Sequence, residues 1–157
     1  MAIDAGAITV VVPTQAATSA TPETAGAITL SSAAVKGGFQ VVEECDLFEV
    51  GIIVTTALTV SAIVMAVERA TTTGTGATFS ALTTTAGTAV TLTSPVAAVA
   101  IGTSIIKRGF VAHLSKGDCV RFNVTTAPTA GAGYIYAKLA PSGESGSAAA
   151  DQLLSTT

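Results

Sequence analysis

The sequence predicts an all-β protein: a jelly-roll-like β-sandwich with an extended N-terminal arm and a short flexible C-terminal tail. Three observations predict it. Val120, Phe122 and Val124 alternate with Cys119, Arg121, Asn123 and Thr125, a period of two that gives one apolar face and one wet face. Gly and Pro cut much of the remaining chain into pieces of strand length, spaced about 8 to 12 residues apart as in sandwiches and barrels. Residues 70–106 contain no Asp, Glu, Lys, Arg, His or Cys, only small and β-branched residues with a few larger apolar ones. That run can supply neither titratable groups nor metal ligands.

The chain of 157 residues suits one domain, divided as an arm at 1–38, a β-sandwich at 39–141 and a tail at 142–157. In the arm, Pro13 and Pro22 bracket a Thr/Ala/Ser stretch, and AGAITV at 5–10 is echoed by AGAITL at 25–30. The echo reads as two short strands able to pair with a sheet edge, in a segment with too few apolar residues to fold alone. From Phe39 two strands are expected to join at the acidic segment of Glu43, Glu44, Asp46 and Glu49. Residues 52–54 and 58–67 read as buried strands, continuous and β-branched, with Thr55-Thr56-Ala57 as the turn between them. The glycines and Pro95 leave strands at 79–82 and 89–93, and 94–102 reads equally as strand or helical turn. Residues 118–126 and 133–139 are expected to form a hairpin across the Pro/Gly loop 127–132. The tail begins as a Ser/Gly linker and ends with Leu153-Leu154, on one or two helical turns capped by Ser147.

Composition narrows the function classes. Hydrophobic residues make up 49% and aromatics 4%, with no Trp, so the core is built from Val, Ile, Leu and Ala. Charged residues are 11%, against about 25% in an average domain. A bare Thr/Ala surface with net charge -3 favours self-association, so an oligomer is expected. Seven bases, scattered apart from Lys107-Arg108 and outnumbered by ten acids, provide no nucleic-acid footprint. Residues 50–67 are uncharged but fall short of a span of about 20 residues and are diluted by Thr55, Thr56, Thr59 and Ser61, so no membrane partner is expected. The N-terminus carries Asp4 and no basic stretch, unlike a secretory signal, which points to assembly in a cytoplasm.

No catalytic, metal or cofactor site is expected. His113, the one histidine, has no Cys or His at ligand spacing. The four acids lack the loop that wraps calcium and read as a solvated strand face. Gly74-Thr75-Gly76 and Gly131-Ala132-Gly133 read as turns, and the sequon Asn123-Val124-Thr125 as coincidence. Cys45 and Cys119 read as buried or half-buried thiols in separate strands, with a disulfide left open. The abundant Ser and Thr have no base to activate them.

This layout resembles the decoration or cement proteins of tailed-bacteriophage capsids. The likeness lies in the small, low-charge Ala/Thr/Gly/Val-rich chain, its arm, and LSKGDCVRFNVTT from Leu114, similar to the Leu-x-x-Gly-Asp-x-Val strand of trimeric jelly-roll domains. The resemblance implies a non-catalytic virion protein, a homotrimer made in the host cytoplasm and seated on the outside of the capsid, with the major capsid protein as partner. On that reading the arm is the attachment element, and Ile8, Val10, Val12, Ile28 and Leu30 are its capsid-binding residues. A head-fibre or tail-associated knob, or a surface adhesin module, resembles the same β pattern.

Overall fold

Ten antiparallel strands are arranged in two packed sheets, with no helix among the described residues. The computed structural model describes residues 7–12, 27–72 and 76–142. The strands are β1 (Ile8–Val11), β2 (Ile28–Thr29), β3 (Ala34–Gln40), β4 (Cys45–Thr59), β5 (Val64–Ala70), β6 (Ser80–Ala81), β7 (Thr91–Thr93), β8 (Ser104–Leu114), β9 (Cys119–Thr126) and β10 (Ala130–Pro141). Sheet A has the order β1-β10-β4-β8, with β2 also on β10; sheet B has the order β3-β9-β5-β6, with β7 also on β5.

Each sheet has one edge built from two short strands laid end to end. β1 pairs with Tyr136 to Leu139 and β2 with Ala132 and Gly133, both antiparallel to β10. β7 and β6 share β5 in the same way. Counting each such edge as one row, the pairings are nested: β1/β2 with β10, β3 with β9, β4 with β8, and β5 with β6/β7. The chain is thus one long antiparallel ribbon doubled back within the charge-free run, its successive rows dealt alternately to the two sheets.

The inner faces meet in one core. Leu47, Val50, Ile52, Val54 and Leu58 from β4 and Ile135 and Ala137 from β10 face Met65 and Val67 from β5 and Val120, Phe122 and Val124 from β9. Phe122, fully buried, packs against Phe39 at a ring-centroid distance of 6.3 Å. A core this poor in aromatics gains its stability from many aliphatic contacts.

Several sequence expectations change. Residues 118–126 and 133–139 do not form a hairpin: β9 lies in sheet B and β10 in sheet A, so the connection crosses the sandwich. Both strands carry the alternation a hairpin would show, and alternation reports a buried face without saying which sheet owns it. The turn at Thr55-Thr56-Ala57 is absent, since β4 runs unbroken from Cys45 to Thr59, as β-branched threonines readily extend a strand. The chain turns instead beyond Thr59, where Val60 takes φ 74°, a left-handed conformation that costs a β-branched residue energy and leaves no sequence mark. β8 was not foreseen, because Lys107, Arg108 and Gly109 interrupt its apolar pattern. They sit where the pairing with β4 shifts register between Leu47 and Glu49, and Gly109 has φ 78°. Gly131 and Gly133 lie within β10 rather than in a turn, and a Cβ at either would run into Leu58 or Ile53 of β4.

The echoed hexapeptides do become matching strands, β1 and β2. They are rows of the sandwich itself: Val12, Ile28 and Leu30 belong to the core. The expected tail at 142–157 lies outside the described residues beyond Ser142.

Candidate interaction surface

The outer face of sheet A carries the feature most in need of a partner. Alternation along β10 sends Ile135, Ala137 and Leu139 inward and Tyr134, Tyr136 and Lys138 outward. β1 adds Thr9 and Val11 opposite Lys138 and Tyr136, and β4 adds Glu49, Gly51 and Ile53. Ile106 of β8 stands opposite Gly51. Val11, Ile53, Ile106 and Tyr134 are each between 37% and 44% exposed. A shallow groove of about 530 Å³ runs between Thr9, Val11, Ile53, Tyr134, Tyr136 and Lys138. An antiparallel sheet with one buried face ordinarily gives water its other face; here that face carries apolar and aromatic side chains on four adjacent strands.

The groove has a rigid floor. Tyr136 lies flat over Gly51, where a Cβ would collide with its ring, and its hydroxyl donates to Glu49 Oε1 at 2.9 Å. Lys138 Nζ meets the same oxygen at 3.2 Å. Glu49 is only 8% exposed, and these two partners offset the cost of burying its charge. Burial first, then the hydrogen bond and charge of Glu49, push the Tyr136 hydroxyl up to about 12, with Arg108 acting in the opposite sense. Near Ile53 on β4, Thr55 Oγ1 is buried with no hydrogen-bond partner.

The acidic segment is therefore split. Glu43 and Glu44 are exposed in the β3–β4 connection, whereas Asp46 and Glu49 are buried on β4, Asp46 hydrogen-bonded to His113 and Glu49 ion-paired with Lys138, contrary to a wholly solvated face. Sequence reasoning missed this because the shielding partners, Tyr136, Lys138 and His113, lie in strands remote along the chain.

At the end of the sandwich where β8 turns into β9, Asp46 Oδ1 and Ser142 Oγ both lie 3.0 Å from His113 Nδ1. The three residue types suggest a hydrolytic triad, but the geometry does not. A triad needs the carboxylate on one ring nitrogen and the hydroxyl on the other, and here both address the same one. Arg69 Nη1 donates to the His113 carbonyl at 3.3 Å and approaches Asp118 Oδ2 at 3.6 Å, tying sheet B to sheet A. Asp118 in turn accepts the Ser115 N–H at 2.8 Å, while Gly117 takes φ 93° and donates to the Val41 carbonyl. Leu114, Gly117, Asp118 and Val120 of the Leu-x-x-Gly-Asp-x-Val stretch thus build a tight turn between two core strands. Cys45 and Cys119 are free thiols. Burial, reinforced by Asp46 and Asp118 at Cys45 and by Asp118 at Cys119, raises both and keeps them protonated. Among the described residues no three His, Cys, Asp or Glu come together as a metal site, and no helix is long and apolar enough to cross a membrane.

Of the five residues expected to contact a shell, Val12, Ile28 and Leu30 are enclosed in the protein's own core. Ile8 and Val10 stand on β1 at the edge of sheet A, with Ile8 exposed and Val10 half-buried.

The chain matches no protein-family model, no curated protein and no solved structure.

Proposed function

We propose that this protein is a structural component of a phage virion, a homotrimer that sits on the outside of the capsid and stabilises it without catalysis. The observation that carries the reading is the apolar outer face of sheet A, an uncovered surface on a chain with only 11% charged residues. The nested pairing supports a jelly-roll description, since a wound antiparallel ribbon of eight rows yields its two interleaved four-row sheets. The Leu114 to Val120 turn adds the resemblance to trimeric jelly-roll domains.

The core positions of Val12, Ile28 and Leu30 move the shell contact to the free edge of β1, where Ile8 offers side chain and backbone to the major capsid protein. Many weak contacts of this kind on one particle sum to firm attachment. Mass spectrometry of purified particles tests the proposal, with an expected yield of hundreds of copies per capsid and rupture at lower temperature when the protein is stripped. Particles free of this chain would overturn it.

A further inference from the structure

We infer that the groove on the outer face of sheet A is occupied by the Val42-Glu43-Glu44 loop of a second copy of this chain. The inference rests on the self-association proposed above and names the surfaces that meet.

The loop has the complementary chemistry. Val42 is 76% exposed, the most exposed large hydrophobic residue among those described, and it is followed directly by two acids. Glu43 and Glu44 form no ion pair among the described residues. The loop is held ready, because its base is fixed to the β8–β9 turn by Val41 N–H to the Asp118 carbonyl and Gly117 N–H to the Val41 carbonyl, both at 2.8 Å. A segment already fixed in shape loses little conformational freedom on binding.

The groove has the opposite character at its rim. Its floor of Val11, Ile53, Tyr134 and Tyr136 is apolar, and Lys138 lies at one side. Beyond Glu49 on β8 stand Lys107 and Arg108, both exposed and neither in an ion pair among the described residues. Arg108 is near enough to Tyr136 to act on its hydroxyl. Arg108, opposite Glu49, shares the outer face with Ile106, while Lys107, opposite Val50, projects from the other side of the same edge strand. The β8 rim thus holds two bases and the loop two acids, none of them in an ion pair among the described residues. Lys116, in the turn that holds the loop, is in no ion pair among the described residues and offsets only one of the two loop acids. A loop and its groove on different parts of one surface make a head-to-tail contact, which closes into a ring when the rotation allows.

Light scattering or sedimentation of the full chain tests this, with circular dichroism to show that each variant keeps its β fold. The unaltered protein is expected at a multiple of the 15.4 kDa chain mass. Ile53→Glu and Ile106→Glu, either on the face, and Val42→Glu on the loop should each reduce it to the single-chain mass. Reversing the rim with Lys107→Glu and Arg108→Glu, or the loop with Glu43→Lys and Glu44→Lys, should do the same, and all four changes in one chain should restore the assembly. If face and loop variants that keep the β fold leave the mass unchanged, this inference falls while self-association stands. If only the face variants dissociate, or if the four-fold reversal restores nothing, the seating of the loop is overturned. A monomer in the unaltered protein, whether or not it binds vesicles or another protein through this face, overturns both.

Discussion

The two sheets share one core, yet their outer faces follow opposite rules. On sheet B the outward row is polar and satisfies itself. Arg121 of β9 pairs with Glu68 of β5, Asn123 donates to the other oxygen of Glu68 at 3.1 Å, and the guanidinium lies 3.9 Å above the Phe79 ring. On sheet A the outward row is Tyr, Ile and Val around one carboxylate, Glu49, held by Tyr136 and Lys138 of the same face. The self-satisfied face suits water as it stands, while the apolar one gains by being covered. Sheet A also contains both proposed contact elements, the β1 edge and the groove.

The largest expected effect concerns the edge of sheet A. Leu30→Ala should cost about 2 to 5 kcal/mol by removing a fully buried side chain, read from denaturant unfolding. Deleting residues 1–32 should abolish the β spectrum altogether. A stable truncated domain would show that this edge is an appendage, and the contrast between the sheets would lose its meaning.

Gly51→Val tests the floor of the groove. The new side chain evicts the Tyr136 ring and breaks its bond to Glu49, at a cost of about 3 kcal/mol. Arg121→Ala is the counterpart on sheet B. Loss of a partly buried ion pair and a cation–π contact should cost about 1 to 2 kcal/mol and leave the oligomeric state untouched. If it dissociates the protein, the assignment of faces is reversed.

Tyr136→Phe should cost about 1 to 2 kcal/mol near neutral pH and also alter the alkaline response. Folding raises the Tyr136 hydroxyl from its ordinary 10.0 to about 12. The folded state therefore holds a proton that the unfolded chain gives up first. The stability due to this group is fully present below pH 10 and is lost as pH rises to about 12. The phenylalanine variant should show a smaller decline over that window, and an unchanged decline would mean that another group controls it. The smallest effect is a gain: Thr55→Val removes a buried hydroxyl without a partner and should stabilise by up to about 1 kcal/mol, seen as a higher melting temperature.

The all-β character, the matched pair β1 and β2, the alternation of β9 and the junction at the acidic segment were legible in the sequence. Each depends on residues near one another in the chain: β-branched runs, period two, repeated hexapeptides and Gly/Pro punctuation. The tertiary structure alone decided which strands pair. The same alternation that suggests a hairpin at 118–139 serves equally for two strands on opposite sheets, and nothing local distinguishes them. It alone enclosed Val12, Ile28 and Leu30, because β10 provides an edge on which a short strand can bury one face. The candidate surface was hidden for the same reason. Val11, Ile53, Ile106, Tyr134 and Tyr136 come from four strands far apart in the chain, and the charge of Glu49 is neutralised there by residues almost ninety positions away. Local physics fixes what each segment can become, and burial, a property of the whole, fixes which face each segment turns to water.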